Sequence, residues 1–122
     1  MAYRKYRNRR VEYDGRVFDS LKEYRRYREL KMLLACDAIS DLRLQVPFEV
    51  IPAIYEDKVV QLKTKAKTVR RCVQRATVYV ADFVYMKDGR QVVEDTKGFR
   101  TKEYEIKKKM MRAFLGIEII ER

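Results

Sequence analysis

The segment VYVADFVYMKDGRQVVEDTKG, residues 78–98, constrains the fold more than any other stretch. Apolar β-branched and aromatic residues flank Asp88-Gly89, a dipeptide that strongly signals a two-residue hairpin loop. With that loop, Lys87 faces Arg90, Val84 faces Val93 and Asp82 faces Asp95. Directly opposed residues share a face, with Cβ atoms about 4.5–5.5 Å apart. Strict alternation then puts Val80, Val84, Val93 and Lys97 on the face of the two aspartates, and Glu94 and Thr96 on the other. Opposed carboxylates repel, so this register calls for a cation between them. The plain alternative is a solvated face on which Lys97 neutralises both acids. The neighbouring valines speak against it, because they make that face the border of an apolar patch.

A chain of 122 residues has room for one domain with one modest core. Lys and Arg outnumber Asp and Glu 29 to 18, a formal charge of +11 that attracts polyanions. No apolar run is long enough to span a bilayer, and no apolar segment follows the basic start MAYRKYRNRR, which therefore does not read as a secretory signal. Nucleic acid, not a membrane, is the expected partner. Cys36 and Cys72 are the only cysteines, which suggests reduced thiols in a cytoplasm and too few ligands for structural zinc. The absence of histidine removes Ser-His and Cys-His nucleophilic schemes. Any catalysis must rest on carboxylates and lysine, with or without a metal.

Residues 1–10 read as a basic arm, with Arg9 and Arg10 available to phosphate, and residues 11–122 as a single domain. VEYDGRVFD (11–19) predicts a small hairpin around Asp14-Gly15. Residues 20–35 have helical periodicity, and Ser20 with Glu23 matches a capping box. Glu23 also heads the stripe Tyr27, Leu30 and Leu34, which should face the sheet and bring the acid to its edge. Both roles for Glu23 stay open. Leu42, Leu44, Val46 and Phe48 alternate as in a strand, and Pro47 and Pro52 argue for an edge or bent one. Residues 58–77 carry Lys58, Lys63, Lys65, Lys67, Arg70, Arg71 and Arg75 without an acid, which favours phosphate contact. If extended, that segment presents Lys63, Lys65 and Lys67 on one face. Residues 101–116 predict a second helix, capped by Thr101 and Gly116, with Ile106, Met110, Ala113 and Phe114 as its apolar stripe. IEII closes the chain as a short strand. The order is helix, three or four strands, helix, strand: an α/β sandwich.

ADF…VEDTKG resembles the PD-(D/E)XK nuclease signature, with Asp82 as the first acid and Asp95-Thr96-Lys97 as the acid-x-Lys. Together with FDSLKEYRRYREL and LQVPFEVIPA, it is similar to small phage-encoded nucleases, and more widely to the bacteriophage endonuclease I-type Holliday-junction resolvases. Asp95 stands where Glu is commoner in those proteins. The resemblance implies a restriction-endonuclease-like αβββαβ core, a central mixed sheet flanked by helices. It implies a Mg²⁺-dependent endonuclease, with Mn²⁺ able to substitute, that cuts branched DNA as a homodimer in the host cytoplasm. Asp82, Asp95, the carbonyl of Thr96 and Glu23 would hold the metal, and Lys97 would complete the catalytic set. Arg9, Arg10, Lys63, Lys65, Lys67, Arg70, Arg71, Arg100 and Lys102 would contact DNA. The alternatives are a nuclease of the same fold acting on flap or duplex DNA, and a non-catalytic basic nucleic-acid-binding protein.

Overall fold

The computed structural model describes residues 10–97 and 99–122. The basic arm expected over 1–10, including Arg9, lies outside the described residues except for Arg10, which is exposed. The elements are β1 (Val11–Tyr13), β2 (Arg16–Phe18), α1 (Leu21–Ala35), β3 (Ser40–Ile51), β4 (Ile54–Gln61), β5 (Ala66–Gln74), β6 (Thr77–Lys87), β7 (Arg90–Asp95), α2 (Lys102–Leu115) and β8 (Ile119–Glu121). The central sheet has the order β3-β6-β7-β8. Its first two pairings are antiparallel and the last is parallel. β1–β2 and β4–β5 form separate two-stranded hairpins. The fold is therefore mixed α/β. No described helix is long and apolar enough to cross a membrane.

Local chemistry explains most of these elements. Asp88 and Gly89 both adopt left-handed φ, 52° and 75°, as a tight turn between twisted strands requires, and Asp14-Gly15 does the same. The β6–β7 register is the expected one, with Lys87 opposite Arg90 and Val84 opposite Val93. β3 is an edge strand, and Pro47 sits in it where a missing N–H is tolerated. The Ser20 hydroxyl accepts the Glu23 N–H at 3.1 Å and caps α1.

Two cores lie on opposite faces of the sheet. On one, Tyr27 and Leu30 of α1 pack with Phe18, Phe83 and Tyr85. On the other, Tyr104 and Met111 of α2 pack with Tyr79, Ala81, Val84, Val93 and Ile119. The expected α2 stripe is not the buried one: Ile106, Ala113 and Phe114 are exposed and Met110 is only half-buried. The helix is instead rotated so that Tyr104 and Met111 meet the sheet, while Lys108 pairs with Glu121 of β8.

The side-chain alternation of β3 and β6 also breaks. Leu42 and Leu44 pack on the α1 side, yet Val46 and Phe48 pack on the α2 side. Likewise Tyr79 and Ala81 face α2, whereas Phe83 and Tyr85 face α1. Both strands exchange faces at one rung, where Gln45, with a left-handed φ of 51°, stands beside Asp82. Val80 is consequently exposed and does not share the Val84 face, which corrects the strict alternation expected from sequence.

Glu94 is fully buried on the α1 side and anchors that helix to the sheet. Arg26 grips it with two bonds, Nε to Oε1 at 2.7 Å and Nη2 to Oε2 at 2.8 Å, and the Tyr85 hydroxyl donates to it as well. Burial alone would raise the Glu94 pKa, but the bonds from Arg26 and Tyr85 outweigh it and hold the carboxyl below its ordinary range. Removing one partner of such a pair strands a buried charge, so Arg26→Ala is expected to lower the unfolding free energy by about 3 kcal/mol. Urea denaturation checks this; a loss below about 1 kcal/mol, the range of exposed ion pairs, would contradict the burial.

Candidate functional site

Beyond the last β6–β7 rung, Phe83 opposite Glu94, the strands carry Asp82 and Asp95. Because Asp82 occupies the rung at which faces exchange, it serves both layers. Towards α1 it meets Gln45, whose Nε2 donates to Asp82 Oδ1 at 3.3 Å and to Glu23 Oε1 at 3.0 Å. Towards β7 its Oδ2 accepts the Thr96 N–H at 2.9 Å and the Thr96 hydroxyl at 2.8 Å. Two residues therefore orient Asp82 from opposite sides.

Asp95 is buried on the α2 side. Its Oδ2 accepts from the Tyr79 hydroxyl, and its Oδ1 lies 3.4 Å from Lys97 Nζ. That Oδ1 has no aligned hydrogen-bond donor, although it is fully buried. Lys97 is held from below by the Tyr104 ring, its Nζ 4.6 Å from the centroid. Its own carbonyl accepts from Lys22 Nζ at 3.1 Å.

The three acids feel one another. Burial first, then the charges of Asp82 and Asp19, push Glu23 up to about 7. Asp95 is also raised, by burial and then by hydrogen bonding and charge repulsion from Asp82, with Tyr79 and Lys97 opposing. Glu23 reacts weakly to Asp95 as well, which places all three carboxyls in one electrostatic neighbourhood. Burial and its bond to Asp95 keep the Tyr79 hydroxyl protonated far above its usual range. Among the described residues, no three acidic or cysteine side chains close up into a cation cage by themselves. The fit to a divalent cation rests on narrower ground: a buried, donorless Asp95 oxygen beside a second carboxylate.

Glu23, Asp82, Asp95, Thr96 and Lys97 are thus brought together, and Glu94 is set apart as the partner of Arg26. Glu23 uses its amide in the helix cap, while its carboxylate turns to Gln45. Of the expected phosphate contacts, Arg100 is paired with Glu121 at 2.6 Å and Lys102 is exposed at the start of α2. Lys63 and Lys65 fall in the turn between β4 and β5, with only Lys67 in a strand, so the three do not alternate along one strand face. Arg70 stacks over Tyr55 at 4.3 Å and Arg71 stands opposite Glu56.

Sequence reasoning missed Gln45, Tyr79, Tyr104 and the side chain of Thr96. Gln45 carries no signal, because a polar residue at that parity reads as solvent-facing. Tyr79 is hidden by parity: its odd position puts it on the face opposite to Asp95 while β6 is read as regular.

The chain belongs to a family described as "Protein of unknown function (DUF1064)", whose model matches residues 3–117. At the similarity required, no curated protein and no solved structure matches it.

Raised acid pKa values make a stability prediction with a definite sign. Folded Glu23 and Asp95 hold protons that the unfolded chain releases, so their joint contribution to stability is whole below pH 3.8 and is lost as pH rises through about 7. The melting temperature of metal-free protein is expected to fall by several degrees between pH 5 and pH 8. Added Ca²⁺ or Mg²⁺ should restore it at pH 8 far more than at pH 5, and Asp95→Asn should abolish the restoration. Calorimetry at both pH values reads all three effects.

Proposed function

We propose that the chain is a Mg²⁺-dependent DNA endonuclease of the PD-(D/E)XK type, cutting branched DNA as a homodimer. The observation that carries this reading is the charge-coupled set Glu23, Asp82 and Asp95 with Lys97 3.4 Å from Asp95, on a chain of net charge +11. Acids drawn together on a protein that attracts polyanions serve binding poorly and serve metal-assisted phosphodiester hydrolysis well. The order α1, β3, β6, β7, α2, β8, with the β4–β5 hairpin as an insertion, agrees with a restriction-endonuclease-like αβββαβ core.

Asp82, Asp95 and the carbonyl of Thr96 would hold the cation, with Glu23 acting directly or through water. Mg²⁺ there would neutralise phosphate charge and make water more acidic. Gln45 and Thr96 fix the Asp82 carboxylate, and Tyr79 fixes that of Asp95 while leaving Oδ1 without a donor. Lys97, steadied over Tyr104, would orient the attacking water and stabilise charge that develops on the phosphate. Symmetric cutting of a four-way junction needs two such sites, which a twofold dimer supplies. The partner is DNA, with no membrane and no small-molecule cofactor, in the cytoplasm of a host cell.

The experiment is a substrate panel of four-way junction, flap, linear duplex and single strand, each with Mg²⁺ or EDTA. Asp82→Asn, Asp95→Asn and Lys97→Ala should each lower Mg²⁺-dependent cleavage at least 100-fold while the protein stays folded and binds DNA. Glu94→Gln should keep cleavage at temperatures below its own, lower, unfolding transition. Equal cutting of junction and duplex, or a monomer by light scattering with and without DNA, would shift the reading to a general nuclease. Absence of any cleavage with Mg²⁺ or Mn²⁺ would remove it.

A further inference from the structure

The β4–β5 hairpin is not needed to link its neighbours. β3 and β6 are antiparallel neighbours paired as far as Ile51 and Thr77, so a short turn could join them. The chain instead runs out and back through two strands whose residues are all exposed. At about 3.3 Å per residue, the eight residues of β4 extend about 25 Å. A two-stranded ribbon whose strand residues are all exposed is marginally stable in water, and this one exposes Val59, Val60 and Val69. A surface of this kind invites an occupant.

Its charge says what. Near the body, Glu56 stands opposite Arg71 and Asp57 opposite Arg70, so the base is balanced. The outer half, residues 58–68, carries Lys58, Lys63, Lys65 and Lys67 and no acid. Among the described residues none of these lysines has an acidic partner within 4 Å. A second copy of so basic a chain would be repelled by that tip, whereas a polyanion is attracted. The same half has no aromatic residue, and Tyr55 at the base is covered by Arg70. It therefore offers no platform on which unpaired bases could stack. A two-stranded ribbon does fit the major groove of a duplex, about 12 Å wide.

We propose that the β4–β5 hairpin is a duplex-binding ribbon that lies in the major groove, its four outer lysines against the flanking phosphates. The inference rests on the nucleic-acid reading above and deepens it: the substrate is double-helical where the arm reaches it. Point-charge lysines hold phosphate without reading bases, so the contact is independent of sequence. Thr77, at the arm's base, is five residues along β6 from Asp82, about 17 Å of rigid strand. The base of the arm thus holds a fixed spacing from Asp82.

The test uses full-length Asp95→Asn protein in EDTA, so that binding is read whether or not the chain cleaves. In the comparison variant, residues 56–71 are replaced by Asn-Gly, which joins the paired residues Tyr55 and Cys72. A second variant keeps the hairpin but changes Lys58, Lys63, Lys65 and Lys67 to Gln. Both should bind a 30-base-pair duplex at least 100-fold more weakly at about 0.1 M salt. The slope of log affinity against log salt should flatten by about 3 to 4, the value for four phosphate contacts. Affinity for a single strand of equal length should change less than 5-fold. The parent should protect guanine N7 from methylation over several base pairs, and the shortened variant should not. Unchanged duplex affinity in both variants, or loss of dimerisation with DNA binding intact, would overturn the proposal; the latter would make the arm a contact between copies.

Discussion

The candidate site depends on one rung of the sheet at which two strands turn over together. A regular β6 would commit Asp82 to one layer and leave the carboxylates of Glu23 and Asp95 separated by the sheet. Because Gln45 and Asp82 mark a joint reversal, Asp82 lies between the layers and couples an acid from α1 to an acid from β7. The reversal has a local cost. A left-handed φ in a side-chain-bearing residue without a short polar group is of order 1 kcal/mol or more unfavourable. Gln45 offsets part of it by donating to two of the acids at once.

Adjacent acids on β7 show how environment separates function from structure. Glu94 and Asp95 are equally buried. Glu94 meets a guanidinium and is held ionised, whereas Asp95 meets another carboxylate and is pushed towards protonation. The first is a closed network in which both carboxylate oxygens are engaged. The second leaves Asp95 Oδ1 without a hydrogen-bond donor, beside the Asp82 carboxylate and 3.4 Å from Lys97 Nζ. Neighbouring carboxyls with proton affinities driven in opposite directions are the pattern of a site supported by a scaffold.

Much of this was legible from residues alone, where the determinants are local. The two Asp-Gly turns fixed both hairpins, and the β6–β7 register followed from the second. Parity told Glu94 from Asp95 because β7 alternates regularly. The same rule failed for Val80, because the reversal on β6 arises from a tertiary pairing with Gln45 that no periodicity encodes. The α2 stripe misled for a similar reason. Ile106, Met110 and Phe114 form the more hydrophobic row, but Tyr104 and Met111, aided by Lys108 reaching Glu121, decide which side packs. The turn at Lys63 to Lys65 went unseen because LKTKA contains no glycine, proline or asparagine to announce it.

The exposed ribbon and the buried acids are two answers to one electrostatic problem. Edge strands with bare valines invite pairing between copies, and lysines along them are a common defence. Defence alone would scatter charge over both ends of the arm. Here the acids sit opposite arginines at the base, and the unopposed lysines gather in the outer half. The unopposed positive charge of the arm is therefore set in its outer half, away from its own acids Glu56 and Asp57. On the proposed reading, a phosphate backbone held by the outer lysines would pass the charge-balanced base of the arm before it reached the acids, where a cation would have to accept it. Separating attraction from chemistry in this way would let one small sheet hold a polyanion and still keep carboxylates against it.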